Sequence, residues 1–152
     1  MDTDLKNTVH RHRGEIAELL HPPLTRLAQQ CIPVWGERNR VNQVLLDGFP
    51  RIPHCACLYA LDPAGVQVSD GVGSNGVDPD GFGADRSGRP YMQEPIPEWG
   101  FLLSDAYVAQ TSKRPSLTGL HVVAVQGRQL GYLAADFDLR DLPITDSLYS
   151  DS

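Results

Sequence analysis

The sequence predicts an α+β fold in which N-terminal helices cover one face of an antiparallel sheet. Three observations carry that reading. Helical spacing of apolar residues dominates the first third of the chain, short strands separated by turn signals fill the rest, and the last strand sorts into an apolar and a polar face. Runs of helix followed by runs of strand are the pattern of segregated layers rather than of βαβ alternation. A chain of 152 residues, 41% of them hydrophobic, suits one domain with a core of its own.

The elements follow in order. Leu5, Val9, Ile16, Leu19 and Leu20 recur at helical intervals with charged residues between them, and Asp2, Thr3 and Asp4 supply caps and negative charge at the start. Pro22 and Pro23 are expected to end or kink this helix, because each lacks an N–H. A second helical stretch is expected over 24–31 and a third, with Val41, Val44, Leu45 and Leu46, over 37–46. Pro50 and Pro53 then close the helical region.

Residues 55–61 read as a buried strand, and Asp62-Pro63-Ala64-Gly65 as a turn leading into a strand over 66–69. The stretch 70–88 holds six of the fourteen glycines and reads as a long, functional or mobile loop. Strands are expected over 100–109, 116–125 and 130–139, the last two joined through Gln126-Gly127-Arg128-Gln129 as a hairpin. The organisation is therefore a helical region over 1–50 packed on a sheet core over 51–143, with a polar tail over 144–152. In the last strand, Gly131, Leu133, Ala135, Phe137 and Leu139 form the face that lies under the helices. Leu130, Tyr132, Ala134, Asp136 and Asp138 form the other, where two carboxylates call for water, a partner or a ligand.

Composition removes several functional classes. Lys and Arg total 13 against 19 Asp and Glu, a net charge of −6, so no basic face is available to neutralise nucleic-acid phosphates. No apolar run reaches the ~18 residues of a membrane span, and the first twenty residues lack the apolar region of a signal peptide. Three cysteines, Cys31, Cys55 and Cys57, do not make a disulfide framework. A cytoplasmic setting is the expectation.

Four motifs compete for attention and fail on context. Gly71-Val72-Gly73-Ser74-Asn75-Gly76 spells GxGxxG after a strand, but Val77-Asp78-Pro79-Asp80-Gly81 cannot continue as the helix a dinucleotide site needs. Asp78, Asp80 and Asp85 lack the spacing and terminal Glu of a calcium loop. His54-Cys55-Ala56-Cys57 has no second ligand pair to complete a zinc site, so buried strand thiols are the better reading. No GxSxG or other nucleophile elbow is present, and the five histidines lie mostly in the N-terminal half. No catalytic residue, metal or cofactor is assigned.

A richer constellation lies between Asp85 and Asp138. Asp85-Arg86-Ser87-Gly88-Arg89-Pro90-Tyr91 places two guanidinium groups and a phenol at the end of the long stretch. An Arg fork binds carboxylates bidentately, and Tyr is a stiff, directional donor. Ser104-Asp105-Ala106-Tyr107, then Arg114-Pro115-Ser116-Leu117-Thr118, and finally the strand bearing Asp136 complete the set. Cation at one end and carboxylate at the other suit a small zwitterion; surface ion pairs are the competing explanation of the same residues.

Over residues 58–142 these pieces, together with Leu58-Tyr59-Ala60-Leu61-Asp62 and Gly65-Val66-Gln67-Val68-Ser69, resemble in order the PAS-like Cache, or PDC, sensory family of bacterial receptors. They also resemble the sensor-like C-terminal domain of some cyclic-di-GMP phosphodiesterase proteins. The resemblance implies a long N-terminal helix on a five-stranded antiparallel PAS-like sheet, a ligand pocket on the opposite face, and signal transduction without enzymatic activity. Carried onto this sequence, it implies that Arg89 and Tyr91 hold a carboxylate, that Tyr107 lines the pocket, and that Asp136 receives an ammonium group. Arg86, Ser104 and Thr118 complete the ligand-binding set. Met92 and Ala109 depart from the aromatic and acid of amino-acid binders, which counts against a strict amino-acid site; the implied ligand is a small carboxylate-bearing or polar metabolite, an amino-acid-like one being only part of that class. Relay is expected through helix packing or a homodimer made by the N-terminal helices, with a signalling protein as possible partner. The alternative is a protein–protein interaction module with a degenerate pocket, serving a receptor or a cyclic-di-GMP signalling protein.

Overall fold

A computed structural model describes residues 3–109 and 112–142; the expected tail over 144–152 and the cap at Asp2 lie outside these. Three helices come first: α1 (Thr3–Arg11), α2 (Arg13–Cys31) and α3 (Arg38–Gly48). Seven strands follow: β1 (Cys57–Leu61), β2 (Gly71–Gly73), β3 (Gly76–Asp78), β4 (Phe101–Leu103), β5 (Tyr107–Val108), β6 (Pro115–Val125) and β7 (Arg128–Asp138). They form one antiparallel sheet in the order β3-β2-β1-β7-β6-β4, with β5 also pairing with β6.

The α+β class and the helices-on-sheet layering agree with expectation; the count of five strands does not. Residues 66–69 run beside β1 without becoming a strand, because Ser69 Oγ replaces a backbone carbonyl as acceptor for the Ala60 N–H at 2.8 Å. The pairing resumes at Leu58 and Val72, and β2 then turns back through β3 inside the stretch expected to be a loop. The expected strand over 100–109 is two strands, since the Ser104 hydroxyl accepts the Thr118 N–H at 2.9 Å and displaces the ladder locally. Side-chain acceptors competing with the backbone are invisible to alternation patterns.

Pro22 and Pro23 do not end the helix either, for both lie inside α2. A proline in a helix interior costs about 3 kcal/mol. Against that, Ile16, Leu20, Leu24, Leu27, Ala28 and Cys31 form one stripe of α2, all 3% exposed or less. Burying each large apolar side chain is worth roughly 1.5–3 kcal/mol, so the packed stripe outweighs both prolines. The real discontinuity is His12, between α1 and α2, where φ and ψ of −100° and 13° leave the helical well.

The inner face of the sheet carries Leu58 and Ala60 of β1, Leu117 and Val123 of β6, and Leu133, Ala135 and Phe137 of β7, packed against α2 and α3 in one core. The face assigned to β7 from its alternation is the one observed from Gly131 onward; Leu130, which strict alternation puts on the other face, packs against the inner core because a bulge opposite Val123 and Ala124 breaks the alternation there. Gly131 belongs to that face too: a Cβ there would stand 2.1 Å from the Leu61 carbonyl oxygen and 2.6 Å from the Trp35 ring. Between β6 and β7 the chain reverses through Gln126 and Gly127, whose φ values of 50° and 79° match the twist of a two-residue hairpin.

Candidate functional site

The opposite, outer face repeats the alternation with different chemistry. Tyr59 and Leu61 of β1, Leu102 of β4, Leu120 of β6 and Ala134 of β7 make a smaller apolar cluster, roofed by Tyr91. Beside it, register pairs Cys57 with Asp136 and Asp136 with Thr118, so three polar groups from β1, β7 and β6 stand in a row. The stretch from β2 to Met92 folds over this row and encloses a cleft of about 670 Å³, lined among others by Cys57, Tyr59, Gln67, Arg86, Arg89 and Asp136.

Asp136 is the focus of the row. Its Oδ1 accepts hydrogen bonds from Tyr59 Oη at 2.9 Å and Thr118 Oγ1 at 2.8 Å. Tyr59 lies 2.6 Å from the Tyr91 hydroxyl, and Thr118 lies 2.6 Å from the Tyr107 hydroxyl. A hydroxyl has one proton to give. Since Tyr59 and Thr118 give theirs to Asp136, Tyr91 donates to Tyr59 and Tyr107 donates to Thr118. Two relays thus converge on one carboxylate oxygen, and none of the four hydroxyls keeps a proton for a ligand.

The charged donors left for an anion are the two arginines; the neutral side chains of Ser74 and Asn75 line the same cleft. Arg86 is held by Nε and Nη2, both on Gln67 Oε1 at 3.1 and 2.9 Å, with its guanidinium over the Tyr59 ring at 5.7 Å. Gln67 is itself fixed through Nε2 to the Ser69 carbonyl. Gly81 allows this approach: a Cβ there would meet Arg86 Nη2 at 2.8 Å and Gln67 at 2.9 Å. Arg89 lines the same cleft, is 9% exposed, and its side chain has no hydrogen-bond or ion-pair partner among the described residues. None of its nitrogens is sealed from solvent without a partner, so the guanidinium head faces the open cleft, where an acceptor can reach it.

Electrostatics follow the geometry. Burial pushes the Asp136 carboxyl above the usual carboxylate range, and the Thr118 and Tyr59 hydrogen bonds and the charges of Arg89 and Arg86 only partly oppose it. Burial likewise raises the phenols of Tyr59 and Tyr107, and that of Tyr91 to about 12. The Cys57 thiol is pushed up to about 12, again mainly by burial. Phenols and thiol are therefore neutral at ordinary pH and poor nucleophiles.

The residues named from the sequence divide into two groups. Arg86, Arg89 and Asp136 meet at the cleft. Tyr91, Tyr107, Thr118 and Ser104 stand behind it: Ser104 donates to the Asp105 carbonyl and accepts from Thr118 N–H, holding the strand that carries Thr118. Tyr91 also borders a second depression of about 440 Å³ with Met92, Glu94 and Tyr132. From the sequence, Tyr59 and Gln67 have no site role and Cys57 reads only as a buried strand thiol; sorting 57–61 by alternation puts Cys57 and Tyr59 on one face. Asp78 and Asp85 accept the N–H groups of Asp80 and Ser87, as turn caps do. The Cys55 thiol faces the carbonyls of Cys57 and Asp136. Among the described residues no cluster of three or more His, Cys, Asp or Glu is placed to hold a metal ion.

A third depression, about 590 Å³, lies between α2 and the β4 edge, with Ala17, Pro22, Trp99 and Phe101 among its walls. It is the more apolar of the large ones, and of its polar lining residues Arg13 is already held by Asp105 and the Leu103 carbonyl and His21 packs on Trp99, so the chemistry points to the Arg89 cleft.

No family model and no curated protein sequence matches the chain. Solved structures do. An extracellular ligand-binding receptor from Desulfohalobium retbaense superposes with a TM-score of 0.68 at 17% identity, covering 90% of this chain and 25% of its own. The sensory domain of the Campylobacter jejuni chemoreceptor Tlp3 with isoleucine bound gives 0.62 at 15% identity, covering 88% and 55%. The ligand-binding domain of the Pseudomonas fluorescens chemoreceptor CtaA with L-isoleucine gives 0.61 at 18% identity, covering 96% and 56%. This chain thus spans between a quarter and just over half of those chains. At such identities the likeness is one of fold, and no helix among the described residues is long and apolar enough to cross a membrane. Helices on the inner face, a cleft on the outer face and these neighbours agree: the chain has the fold of a Cache/PDC-type sensory domain.

Proposed function

We propose that this chain is a small-molecule-sensing, non-enzymatic domain that binds a carboxylate-bearing or polar metabolite in the cleft between Arg86, Arg89 and Asp136. The single observation that carries the reading is Arg89, nine-tenths buried, lining the cleft and unpartnered among the described residues. A ligand anion would replace water at that head with charge-assisted hydrogen bonds. Structural neighbours described with bound isoleucine support an amino-acid-like ligand as a first candidate.

Relay through the helices is part of the proposal. Arg38 of α3 contacts Asp70 Oδ1 through Nε at 3.0 Å and Nη2 at 2.6 Å, and Asn42 Nδ2 holds the other oxygen at 2.8 Å. The same guanidinium stacks on Phe82 at 3.6 Å. Phe82 immediately follows the turn Pro79–Gly81, which helps to line the cleft, so ordering that roof changes what α3 packs against. A ligand shifts this arrangement only by its differential affinity for the two states. Homodimerisation through the N-terminal helices, where Leu19 and Leu46 are exposed, and a cytoplasmic setting complete the reading. The apolar groove beside Trp99, which is 55% exposed, favours a second reading, a protein–protein interaction module.

A thermal-shift screen against carboxylates, amino acids, purines and polyamines at millimolar concentration tests the two. A ligand at a hundred times its Kd adds about 2.7 kcal/mol, or about 5–10 °C in Tm for a domain of this size. A hit abolished by Arg89→Ala supports the sensor. Silence across the panel, with partner binding intact in Arg89→Ala, supports the interaction module instead.

A further inference from the structure

A separate polar contact lies on the inner face, where α2 meets β6. His121 of β6 directs Nδ1 to the Val122 carbonyl at 2.8 Å and Nε2 to Thr25 Oγ1 at 3.0 Å. Thr25 Oγ1 also lies 2.8 Å from the His21 carbonyl, one turn back in α2. A carbonyl only accepts, so the Val122 contact fixes one imidazole proton on Nδ1. The other two contacts share the single hydroxyl proton while the ring is neutral. Thr25 then donates to Nε2, and the His21 carbonyl goes without the hydroxyl. A second proton on the ring completes all three contacts: Nε2–H donates to Oγ1, and the hydroxyl donates to the His21 carbonyl. No heavy atom has to move between the two states.

The titratable and charged groups around this contact come from few elements. α2 brings His21, whose ring stacks on that of His121 with centroids 5.4 Å apart and planes 14° apart. It also brings Glu18 and Arg13 to the groove that His21 walls, where Arg13 is held by Asp105. The segment before β4 brings Trp99 against His21, with Glu98 next to it in the chain. β4 contributes Phe101, and β7 sets Leu133 opposite His121. Among the described residues no carboxylate is ion-paired with His121.

We propose that His121 and Thr25 form a proton-binding site joining α2 to β6: one solvent proton taken up at Nε2 reverses the hydrogen bond between them, turns the Thr25 hydroxyl onto the His21 carbonyl, and weakens the contact of helix and sheet. The proton returns to solvent when the pH rises. The hydrogen bonds are ready for the charged ring, but its setting among apolar and histidine rings is not. Burial holds the imidazole below the ordinary histidine range; the Val122 carbonyl opposes this and the charge of His21 adds to it. With the folded-state value lowered, the contact contributes fully above the ordinary value and loses that contribution as the pH falls through the lowered one. This inference does not depend on the sensor reading of the cleft. It gives the N-terminal helices, to which that reading assigns the relay, a second input.

The test is NMR of the histidine ring nitrogens in the whole chain, from about pH 8 to about pH 4.5, with urea unfolding over the same range. At the upper end the His121 proton should sit on Nδ1 alone. Its midpoint in the folded protein should lie below the ordinary value of about 6.5, and both ring N–H groups should be present at lower pH. Thr25→Val keeps the shape and removes the hydroxyl, so it should lower that midpoint by about one unit, because a hydrogen bond to the charged ring is stronger than one to the neutral ring. Thr25→Ser should restore it. The wild-type urea midpoint should fall on acidification below about pH 6.5, and less so in His121→Gln; the ring spectra decide the matter even if that variant folds poorly. A proton on Nε2 alone at about pH 8, or a wild-type midpoint at or above about 6.5, overturns the inference. So does a midpoint that Thr25→Val leaves unchanged, or a folded-state His121 that takes no proton down to about pH 4.5. Each of these results leaves the sensor reading, which the ligand screen tests, where it stands.

Discussion

The two faces of the sheet are built by alternate residues of the same strands, yet they obey different rules. On the inner face, Leu58, Leu117, Leu133, Ala135 and Phe137 meet the stripe of α2 and are fully buried, with no polar side chain of β1 or β7 among them. On the outer face, Tyr59, Thr118 and Asp136 share one hydrogen-bond network, and the cover is irregular chain rich in glycine and arginine. Packing decides the first face and polar satisfaction the second. A side chain on the inner face matters for its volume; one on the outer face matters for its protons and charge.

Substitutions that separate volume from charge test this contrast. The largest effect is expected for Phe137→Ala, which leaves a cavity between β7 and the helices: a loss of about 3–5 kcal/mol, seen as a Tm lower by about 10 °C or more. Ligand affinity of the remaining folded protein should change little. Arg89→Ala should do the reverse, weakening binding of any anionic ligand about a hundredfold, the worth of one or two charge-assisted hydrogen bonds. Its unliganded Tm should stay within about 2 °C of wild type, because the guanidinium, open to the cleft, has no protein partner to lose. A large drop in Tm would place Arg89 in the fold rather than in the cleft.

A third substitution sharpens the view of the inner face. Pro22→Ala restores a helical N–H within α2 and should stabilise the protein by about 1–3 kcal/mol, measured by urea denaturation at unchanged m-value. No gain would mean that Pro22 is needed for packing beside Trp99 and Phe101. The smallest effect belongs to Asp136→Asn. The folded-state pKa of Asp136 is raised, so its stabilising contribution is full at low pH and is lost as pH rises through that raised value. The amide escapes the cost of a buried charge and still lets Oδ1 accept from Tyr59 and Thr118. The variant should therefore melt at or slightly above the wild-type temperature at neutral pH, by about 2–4 °C for each kcal/mol recovered. The difference should shrink as the pH is lowered below the wild-type titration. A variant less stable at neutral pH than at low pH, relative to wild type, would contradict the assigned burial.

Much of the inner face was legible in advance and much of the outer face was not. The period-two pattern of 131–139 named the buried side of β7, and the helical period of Ile16 and Leu20 named part of the α2 stripe. Asp136 stood out because a carboxylate in an apolar strand needs a partner. Its principal partner Tyr59 did not, although alternation in β1 would have placed it on the same side. Likewise Arg86 and Arg89 were visible as residue types, but their difference, one locked on Gln67 and one free, is a matter of geometry.

By itself, then, the sequence determined the α+β class, the order of helices before strands, the apolar face of β7, the reversal at Gln126-Gly127 and the exposure of Asp136 to the opposite side. These follow from local period and local turn chemistry, which act within a few residues. Only the tertiary structure decided that α2 runs through Pro22 and Pro23, that β2 and β3 pair inside a glycine-rich stretch, and that Tyr91 and Tyr107 back the two hydroxyls, of Tyr59 and Thr118, that donate to one carboxylate. The course of α2 and the network at Asp136 depend on groups far apart in the chain, such as Tyr59 and Asp136, separated by 77 positions, whose energies enter only once the sheet has brought them together; the β2–β3 hairpin is local, and what is distant is the β1 edge it pairs with.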